Sequence, residues 1–260
     1  MPYLPHPELP SPPAGKTVLW RYVSLAELLD LLDSRALHFT RTDQLSSSVI
    51  DRESQVFLSV MAGMSAEEAR RSFDLMQSVQ STIFASCWHE SGSDMHQRWQ
   101  TLGGSTGQIA LRSTVGGLQQ SLSQALQRVC MSRVQYIDFH SVAVPGGNVF
   151  YPALHKQRGM SEEREVRVLL QQHGVNPSSA GPVRGVEVEV DIWSLIDGVR
   201  VAPRSAEWLG ALVLSLTERY GLRFESSSAE ATPKPEQKPA PHLHRVPAGR
   251  DVRVPHLVCL

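Results

Sequence analysis

The sequence predicts an α+β protein in which a mixed, twisted sheet carries peripheral helices, all within a single domain over residues 17–226. Strand-like segments alternate with amphipathic helical ones, and many strands are joined by connections too tight for crossover helices. Prolines concentrate outside this range, six of the 17 in residues 1–16 and six in 227–260. Because proline blocks helix interiors and sheet ladders, both ends are expected to be disordered.

The first elements follow from one capping box and two short alternating segments. Thr17–Tyr22 is predicted to be a strand. Ser24 and Glu27 have the spacing of a capping box, so a helix is expected to begin there. Ala36–Arg41 is expected to be a second strand, followed by a polar loop to Asp51. The apolar face of the first helix is predicted to consist of Leu25, Leu28, Leu29 and Leu32.

The middle of the chain contains the same kinds of signal. Ser65 and Glu68 form a second capping box, which predicts a helix to about Val79. The strongly apolar segment Thr82–Trp88 predicts a buried strand. Further elements are expected at Asp94–Leu102 (helix), Gln108–Arg112 (strand) and Val115–Leu126 (helix).

The last third is predicted to hold mainly strands, with two helices. The strands are expected at Arg133–Asp138, Glu165–Leu170, Val186–Ile192, Val199–Ala202 and Leu222–Glu225, and the helices at Asp191–Ile196 and Ala206–Tyr220.

The composition is typical of a globular protein in a reducing compartment. Apolar residues make up 41% of the chain, charged residues 20%, and the formal net charge is −1, so no overall field attracts nucleic acid or an anionic membrane. The three cysteines form no CxxC pair, which argues against a disulfide framework and a structural zinc site and indicates the cytoplasm. Neither a signal peptide nor a membrane span is expected.

Several common active-site motifs are missing from the sequence. It contains no GxxxxGK[ST] loop, no GxSxG elbow and no HExxH pair, and Gly103, Gly104 and Gly107 have the wrong spacing for GxGxxG. These absences argue against the most frequent classes of nucleotide-binding protein, hydrolase and metalloprotease.

Nine short segments carry a first resemblance to known proteins. They are Leu19–Tyr22, Leu37–Arg41, Ala85–His89, Trp99, Leu111–Thr114, Val134–Asp138, Lys156, Glu163–Arg167 and Val201–Pro203. In order and spacing they resemble a widespread bacterial family catalogued only as a domain of unknown function, which implies no settled activity. The chain departs from the family at Leu102, where the family has a tyrosine, and at Ser46–Asp51, where it has an Asn-Asp-Pro-like turn.

A second resemblance suggests chemistry. Arg21, Ser86 and Glu163-x-Glu165 occur in the order found in ADP-ribosyltransferases of the Arg-Ser-Glu kind, each on a predicted strand or at its end. The resemblance implies an ADP-ribosyltransferase-like fold and an enzyme that cleaves NAD or transfers its ADP-ribose. The acceptor, protein or nucleic acid, stays open, and no metal is implied.

The resemblance also implies a role for each residue. Cleavage of the nicotinamide–ribose bond builds positive charge on the sugar, which a neighbouring carboxylate stabilises. Glu165 is expected to be that carboxylate, supported by Ser86, while Glu163 orients or deprotonates the acceptor. Arg21 is expected to bind the pyrophosphate.

The remaining expected contacts to the dinucleotide are aromatic and basic. Trp88 or Tyr22 could stack on nicotinamide. Arg41, Lys156 and Arg167 complete the expected cofactor-binding set, the last two within a basic stretch that could equally face nucleic acid.

Ordinary structural roles compete with these assignments. Glu165 and Arg167 could lie on a solvated strand face, and Ser86 could be a small core residue. A non-catalytic binding or accessory module of a stress or defence system is the main alternative, and a Cys87-dependent hydrolase is a minor one. No metal site is expected, because His89, Glu90 and His96 lack the one-face spacing of helical zinc ligands.

Overall fold

The computed structural model describes residues 3–45, 51–90, 99, 109–172, 185–203 and 205–225 of the 260-residue chain. These residues belong to a compact unit that ends at Ser227, close to the predicted domain boundary. The α+β class is confirmed, since helices surround a large antiparallel sheet. The proline-rich tail lies outside the described residues.

Both predicted capping boxes are confirmed. Ser24 Oγ accepts the backbone N–H of Glu27, and the Glu27 carboxylate accepts the backbone N–H of Ser24 in return. Ser65 and Glu68 form the same reciprocal pair.

No described helix is long and apolar enough to cross a bilayer. The helices are α1 (Leu25–Ser34), α2 (Arg52–Met61), α3 (Ala66–Gln80), α4 (Val115–Ser121), α5 (Tyr151–Leu154), α6 (Ile192–Leu195) and α7 (Glu207–Tyr220), with 3-10 turns at Thr42–Gln44 and Arg158–Glu163.

Two helix details differ from prediction, and both reflect packing. The predicted extension of α4 to Leu126 is wrong, because that side chain is 94% exposed and gains nothing from continued helix. In α1, Leu31 is buried, whereas Leu29, expected on the buried face, is 42% exposed. Of the helix predicted at Asp94–Leu102, only Trp99 is described, in helical conformation.

Two helices were not predicted, α2 and the four-residue α5. Asp51 accepts the backbone N–H of Ser54 at 2.8 Å and caps α2. The outer side of this helix is apolar and exposed, with Phe57 at 63% and Met61 at 71%. The buried residue of α2 is Gln55, so the apolar residues of this segment do not mark the side of the helix that packs on the protein.

In the described part of the chain, ten strands form two sheets. In the eight-stranded sheet every named strand pair is antiparallel, so the expected mixed pairing is wrong for this sheet. Parallel pairing occurs in the small two-stranded sheet, between Gln135–Ile137 and His155–Gln157. The strands are β1 (Val18–Val23), β2 (Ala36–Arg41), β3 (Ile83–Glu90), β4 (Ile109–Thr114), β5 (Val129–Arg133), β6 (Gln135–Ile137), β7 (His155–Gln157), β8 (Glu165–Gln171), β9 (Gly185–Glu189) and β10 (Gly198–Val201).

The large sheet divides at β3. Along one edge, β8 pairs with β3 from Ile83 to His89. The other edge is shared, because β2 pairs with Phe84 and Ala85 whereas β1 pairs with His89 and Glu90. The end of β1 and the start of β2 therefore separate beside the centre of β3, and we call this gap the fork.

The sheet has two different faces. Side chains alternate along each strand, so Ser86 and Trp88 point to one face and Cys87 and His89 to the other. On the first, which we call the core face, β3 and β8 pack with α1, α4, α6 and α7 in the main hydrophobic core. The opposite face carries a smaller apolar cluster that includes Leu9 and Leu154.

The proline-rich N-terminal segment packs on the sheet, contrary to the predicted disorder. Tyr3 forms a β-bridge with Val129 of β5, and Leu9 is only 7% exposed. Ser132 Oγ donates to the carbonyl of Pro10 at 2.9 Å. A proline cannot donate to a ladder but its carbonyl can still accept, so the segment is held without regular sheet pairing.

Candidate ligand site at the fork

The Arg21 side chain lies in the fork and forms hydrogen bonds to the two neighbouring strands. It lies on β1 just beyond the last residue paired with β3. Its Nη1 donates to Ser86 Oγ on β3, and its Nη2 donates to the carbonyl of His38 on β2 at 3.2 Å. The guanidinium thus links three strands at the point where their backbones do not pair.

Two predicted site residues, Ser86 and Trp88, are core residues. Ser86 is 1% exposed, and its Oγ also accepts the indole N–H of Trp88 at 3.0 Å. Trp88 has no exposed surface and packs in the main core. It cannot stack on nicotinamide from this position, so that expectation is wrong, whereas the competing role of Ser86 as a small core residue fits its burial.

A cavity of about 330 Å³ opens beside Arg21. Strand residues form one side, and the first two turns of α1 form the other. The lining residues are Arg21, Val23, Ala26, Glu27, Asp30, Leu31, Ala36 and His38.

The charge of Arg21 is only partly balanced by its surroundings. Burial lowers the pKa of its guanidinium, while Cys87, Glu27 and Glu187 act in the opposite direction. No carboxylate of the described chain forms an ion pair with Arg21, and hydrogen bonds there use two of its five N–H donors. A preorganised cation with unused donors at a cavity wall can bind an anionic group.

His38 is held in place on the cavity rim. Its Nδ1 lies 2.5 Å from Glu187 Oε1 on the adjacent strand β9. Gly185, on the same strand, lies under the imidazole, and a Cβ there would come within 2.3 Å of the ring. The absence of a side chain at Gly185 therefore makes room for His38.

Glu165 lies on the other side of the sheet from Ser86. In the β3–β8 register Glu165 pairs with His89, and Ser86 pairs with Val168. Paired residues of antiparallel strands share a face, so Glu165 is on the opposite face and Arg21 and Ser86 are on the core face. The three residues of the ADP-ribosyltransferase pattern are not brought to one face.

The Glu165 carboxylate is buried and fully engaged by two cations. Arg167 donates to it from Nε at 2.9 Å and from Nη2 at 3.0 Å, and Lys156 Nζ lies 3.1 Å away. Burial alone would raise the pKa of Glu165, but the charge of Arg167, its hydrogen bonds and Lys156 lower it to about 2. This group is an ion-paired carboxylate.

Lys156 and Arg167, which were expected to bind a dinucleotide, are already paired with carboxylates inside the protein. Arg167 is 1% exposed and also donates to the carbonyl of Ala153 at 2.6 Å, while Lys156 is 3% exposed and bonds Glu163 as well as Glu165. These residues are buried rather than solvated, so the interpretation of Glu165 and Arg167 as a solvated strand face is wrong. Neither cation is available to a phosphate.

Cys87 is a half-buried thiol with a raised pKa. Desolvation and the negative charge of Glu165 raise its pKa to about 12, although Arg167 and Arg21 oppose the shift. A nucleophilic cysteine needs the reverse shift. The geometry gives the cysteine-hydrolase alternative no support.

Tyr22 and Arg41 lie away from the cavity lining. The Tyr22 ring contacts Trp99 edge-on at 5.0 Å and His89 at 5.9 Å. Arg41 Nε donates to Asp43 at 2.7 Å. Of the expected cofactor-binding residues, Arg21 is the one that lines the described cavity.

Sequence reasoning missed Glu27, Asp30 and His38 as lining residues. The available signal was two acids three positions apart on the helix directly after Arg21, a spacing that puts them on one helix face. Among the described residues, no cluster of three or more His, Cys, Asp or Glu side chains could hold a metal ion.

Leu102 and residues 46–50, where the sequence departs from the bacterial family, lie outside the described residues.

No protein-family model, curated protein or solved structure matches this chain.

Proposed function

We propose that this chain is a small-molecule-binding protein whose site is the fork cavity, and that Arg21 recognises an acidic group of the bound molecule. The observation that carries the proposal is the Arg21 guanidinium, fixed by Ser86 and the His38 carbonyl at the wall of a 330 Å³ cavity. Fixing a cation before binding reduces the entropy that its ligand contact would otherwise cost.

The size of the cavity favours a compact ligand. Ligand pockets range over roughly 300–1,000 Å³, and this cavity lies at the small end. A dinucleotide such as NAD exceeds what such a space encloses well, whereas an organic acid or a simple phosphate ester fits it.

The placement of Glu165 weighs in favour of binding over ADP-ribosyl transfer. Transfer needs a carboxylate beside the ribose of an NAD molecule anchored by Arg21. Glu165 is on the face opposite Arg21 and is held by Lys156 and Arg167. An ADP-ribosyltransferase-like fold and NAD cleavage therefore rank below the binding module as candidate functions.

Two further parts of the proposal concern the protein family and the cellular compartment. Membership of the bacterial family of unknown function is a proposal that rests on the sequence motifs alone, such as Leu19–Tyr22 and Leu37–Arg41. A reducing compartment such as the cytoplasm is supported by Cys87 and Cys130, which are free thiols.

The test is ligand-observed NMR with a fragment set of small carboxylic acids and phosphate esters, half of which carry an amine. We expect some acids to bind the full chain and to lose most of that binding in Arg21→Lys. The matched control is Arg41→Lys, which changes another β-strand arginine that does not line the cavity. If no acid binds, or if both variants lose binding equally, the binding proposal is wrong.

A parallel assay decides between binding and transfer. Purified protein is incubated with NAD, and nicotinamide release is compared between wild type and Glu165→Gln. We expect no release from either. Release that depends on Glu165 would establish the enzymatic alternative.

A further inference from the structure

We infer that the molecule bound in the fork cavity is a small zwitterion, with an acidic group on Arg21 and an ammonium group facing Glu27 and Asp30. This inference rests on the proposed binding function and names its ligand class. It starts from the distribution of charge on the cavity wall.

The cavity lining has cationic and anionic sides. Arg21 lies on the strand side, and Glu27 and Asp30 lie on the α1 side. Because they are three positions apart, the two acids occupy one face of the helix. A ligand with opposite charges at its two ends matches this arrangement.

A simple anion matches it less well. The lining holds one guanidinium and two carboxylates, and the His38 imidazole already contacts Glu187. A ligand carrying only negative charge gains from Arg21 but is repelled by Glu27 and Asp30. An ammonium group turns that repulsion into attraction.

Both carboxylates retain unused acceptors. The Asp30 carboxylate makes no hydrogen bond or ion pair within the part of the chain that the structure covers, and its backbone carbonyl alone is used, by Ser34. Glu27 commits Oε2 to the cap at Ser24, which leaves Oε1. An ammonium group has three donors to satisfy these acceptors.

Apart from His38, the remaining lining is apolar and suits a short aliphatic spacer. Val23 and Leu31 are buried, and two alanines complete the wall between the charged ends. Methylene groups between an acid and an amine would contact this surface, which favours an ω-amino acid or a similar aliphatic zwitterion.

The experiment measures affinity in matched pairs by titration calorimetry on the full chain. The probes are butyrate against 4-aminobutyrate and hexanoate against 6-aminohexanoate, so that each pair differs only by the amine. We expect at least one amino acid to bind about tenfold or more tightly than its parent acid. In Asp30→Asn that preference should fall to within about threefold, because the main partner of the ammonium group is neutralised.

The control variant is Asp33→Asn, which makes the same change at an exposed position of the same helix that does not line the cavity. It should keep the full preference. If parent acids and amino acids bind equally, or if Asp30→Asn and Asp33→Asn behave alike, the zwitterion inference is overturned while acid binding through Arg21 stands. If no acid or amino acid binds, the binding function itself fails and the inference falls with it.

Discussion

Arg167 and Glu165 form a two-point ion pair inside the protein, with Nε to Oε1 at 2.9 Å and Nη2 to Oε2 at 3.0 Å. Both side chains are less than 5% exposed. Two parallel hydrogen bonds fix the relative orientation of the groups as well as their distance. Lys156 and Glu163 extend the pair into a four-residue cluster that ties β7 and the Arg158–Glu163 turn to β8.

Removing one partner of this pair should be costly. Arg167→Met leaves the Glu165 carboxylate buried with only Lys156 beside it, and we expect the free energy of unfolding to fall by about 3–5 kcal/mol. Urea denaturation measures the change. Arg133→Met is the control, because Arg133 is 44% exposed where it meets Glu90, and such pairs contribute less than about 1 kcal/mol. Equal losses in the two variants would contradict the prediction.

The same carboxylate should make the protein acid-sensitive. The pKa of Glu165 is about 2 in the folded protein against an ordinary value of 4.5, so the group stabilises the fold above pH 4.5 and loses this contribution as pH falls towards 2. The full contribution is roughly 3 kcal/mol. We expect the free energy of unfolding to decline between pH 5 and pH 3 less steeply in Glu165→Gln than in wild type. Parallel pH profiles would rule out this source of acid sensitivity.

Ser86 should matter for stability beyond its size. Ser86→Ala removes the acceptor for both Arg21 and the buried indole N–H of Trp88, and an unsatisfied buried donor costs about 1–3 kcal/mol. Thermal and urea unfolding check this loss. Ser59→Ala is the control, since that hydroxyl donates to a carbonyl one turn earlier in its own helix. Trp88→Phe should cost less in the Ser86→Ala background than in the wild type, because the unsatisfied indole donor is removed with the ring, and equal costs in the two backgrounds would show that the indole donor is not the cause.

Gly185 should resist substitution. A Cβ at this position would lie 2.2 Å from His38 Cε1 and 2.8 Å from the carbonyl of Phe39, so Gly185→Ala must displace the ring and strain the β2 backbone. We expect a loss of about 1–3 kcal/mol and a changed His38 NMR signal. Gly210→Ala, where a Cβ meets nothing within 4 Å in α7, should instead stabilise the helix by up to about 1 kcal/mol. The same sign at both positions would contradict the prediction.

The Cys87 thiol should be unreactive in the native protein. A pKa of about 12 against an ordinary value of 9 lowers its thiolate fraction near pH 8 by about a thousandfold. Cys130 is buried, with a pKa near 12, so a Cys259→Ser variant isolates the two thiols with raised pKa values. We expect iodoacetamide to label this variant far more slowly when native than in urea. Rapid native labelling at Cys87 would revive the hydrolase alternative.

Local signals were sufficient to predict many of the individual elements. The two capping boxes placed α1 and α3, and alternation placed β2 within its observed bounds, because these features depend on residues near in sequence. The short strand at His155–Gln157 escaped prediction because three residues carry no detectable period. The order of strands, including the fork, depends on contacts between distant segments that no local pattern encodes.

The candidate site was only partly predictable for the same reason. Arg21 was identified and does meet Ser86, but the face on which Glu165 lies depends on strand register. A shift by one residue moves a side chain to the other side of a sheet, so sequence order alone could not decide whether the pair shares a cleft with Glu165.

The N-terminal segment and the stretch after α7 both lie along outer strands of the large sheet. Leu4 donates its backbone N–H to the carbonyl of Val129 on β5 at 3.0 Å, and Glu225 donates to the carbonyl of Val199 on β10 at 2.8 Å. Outer strands with open hydrogen-bonding groups are templates for intermolecular β-aggregation, which proteins suppress by covering them. These two segments occupy part of the open edges of β5 and β10, so we expect a chain trimmed of either one to expose hydrogen-bonding groups that a neighbouring molecule can pair with.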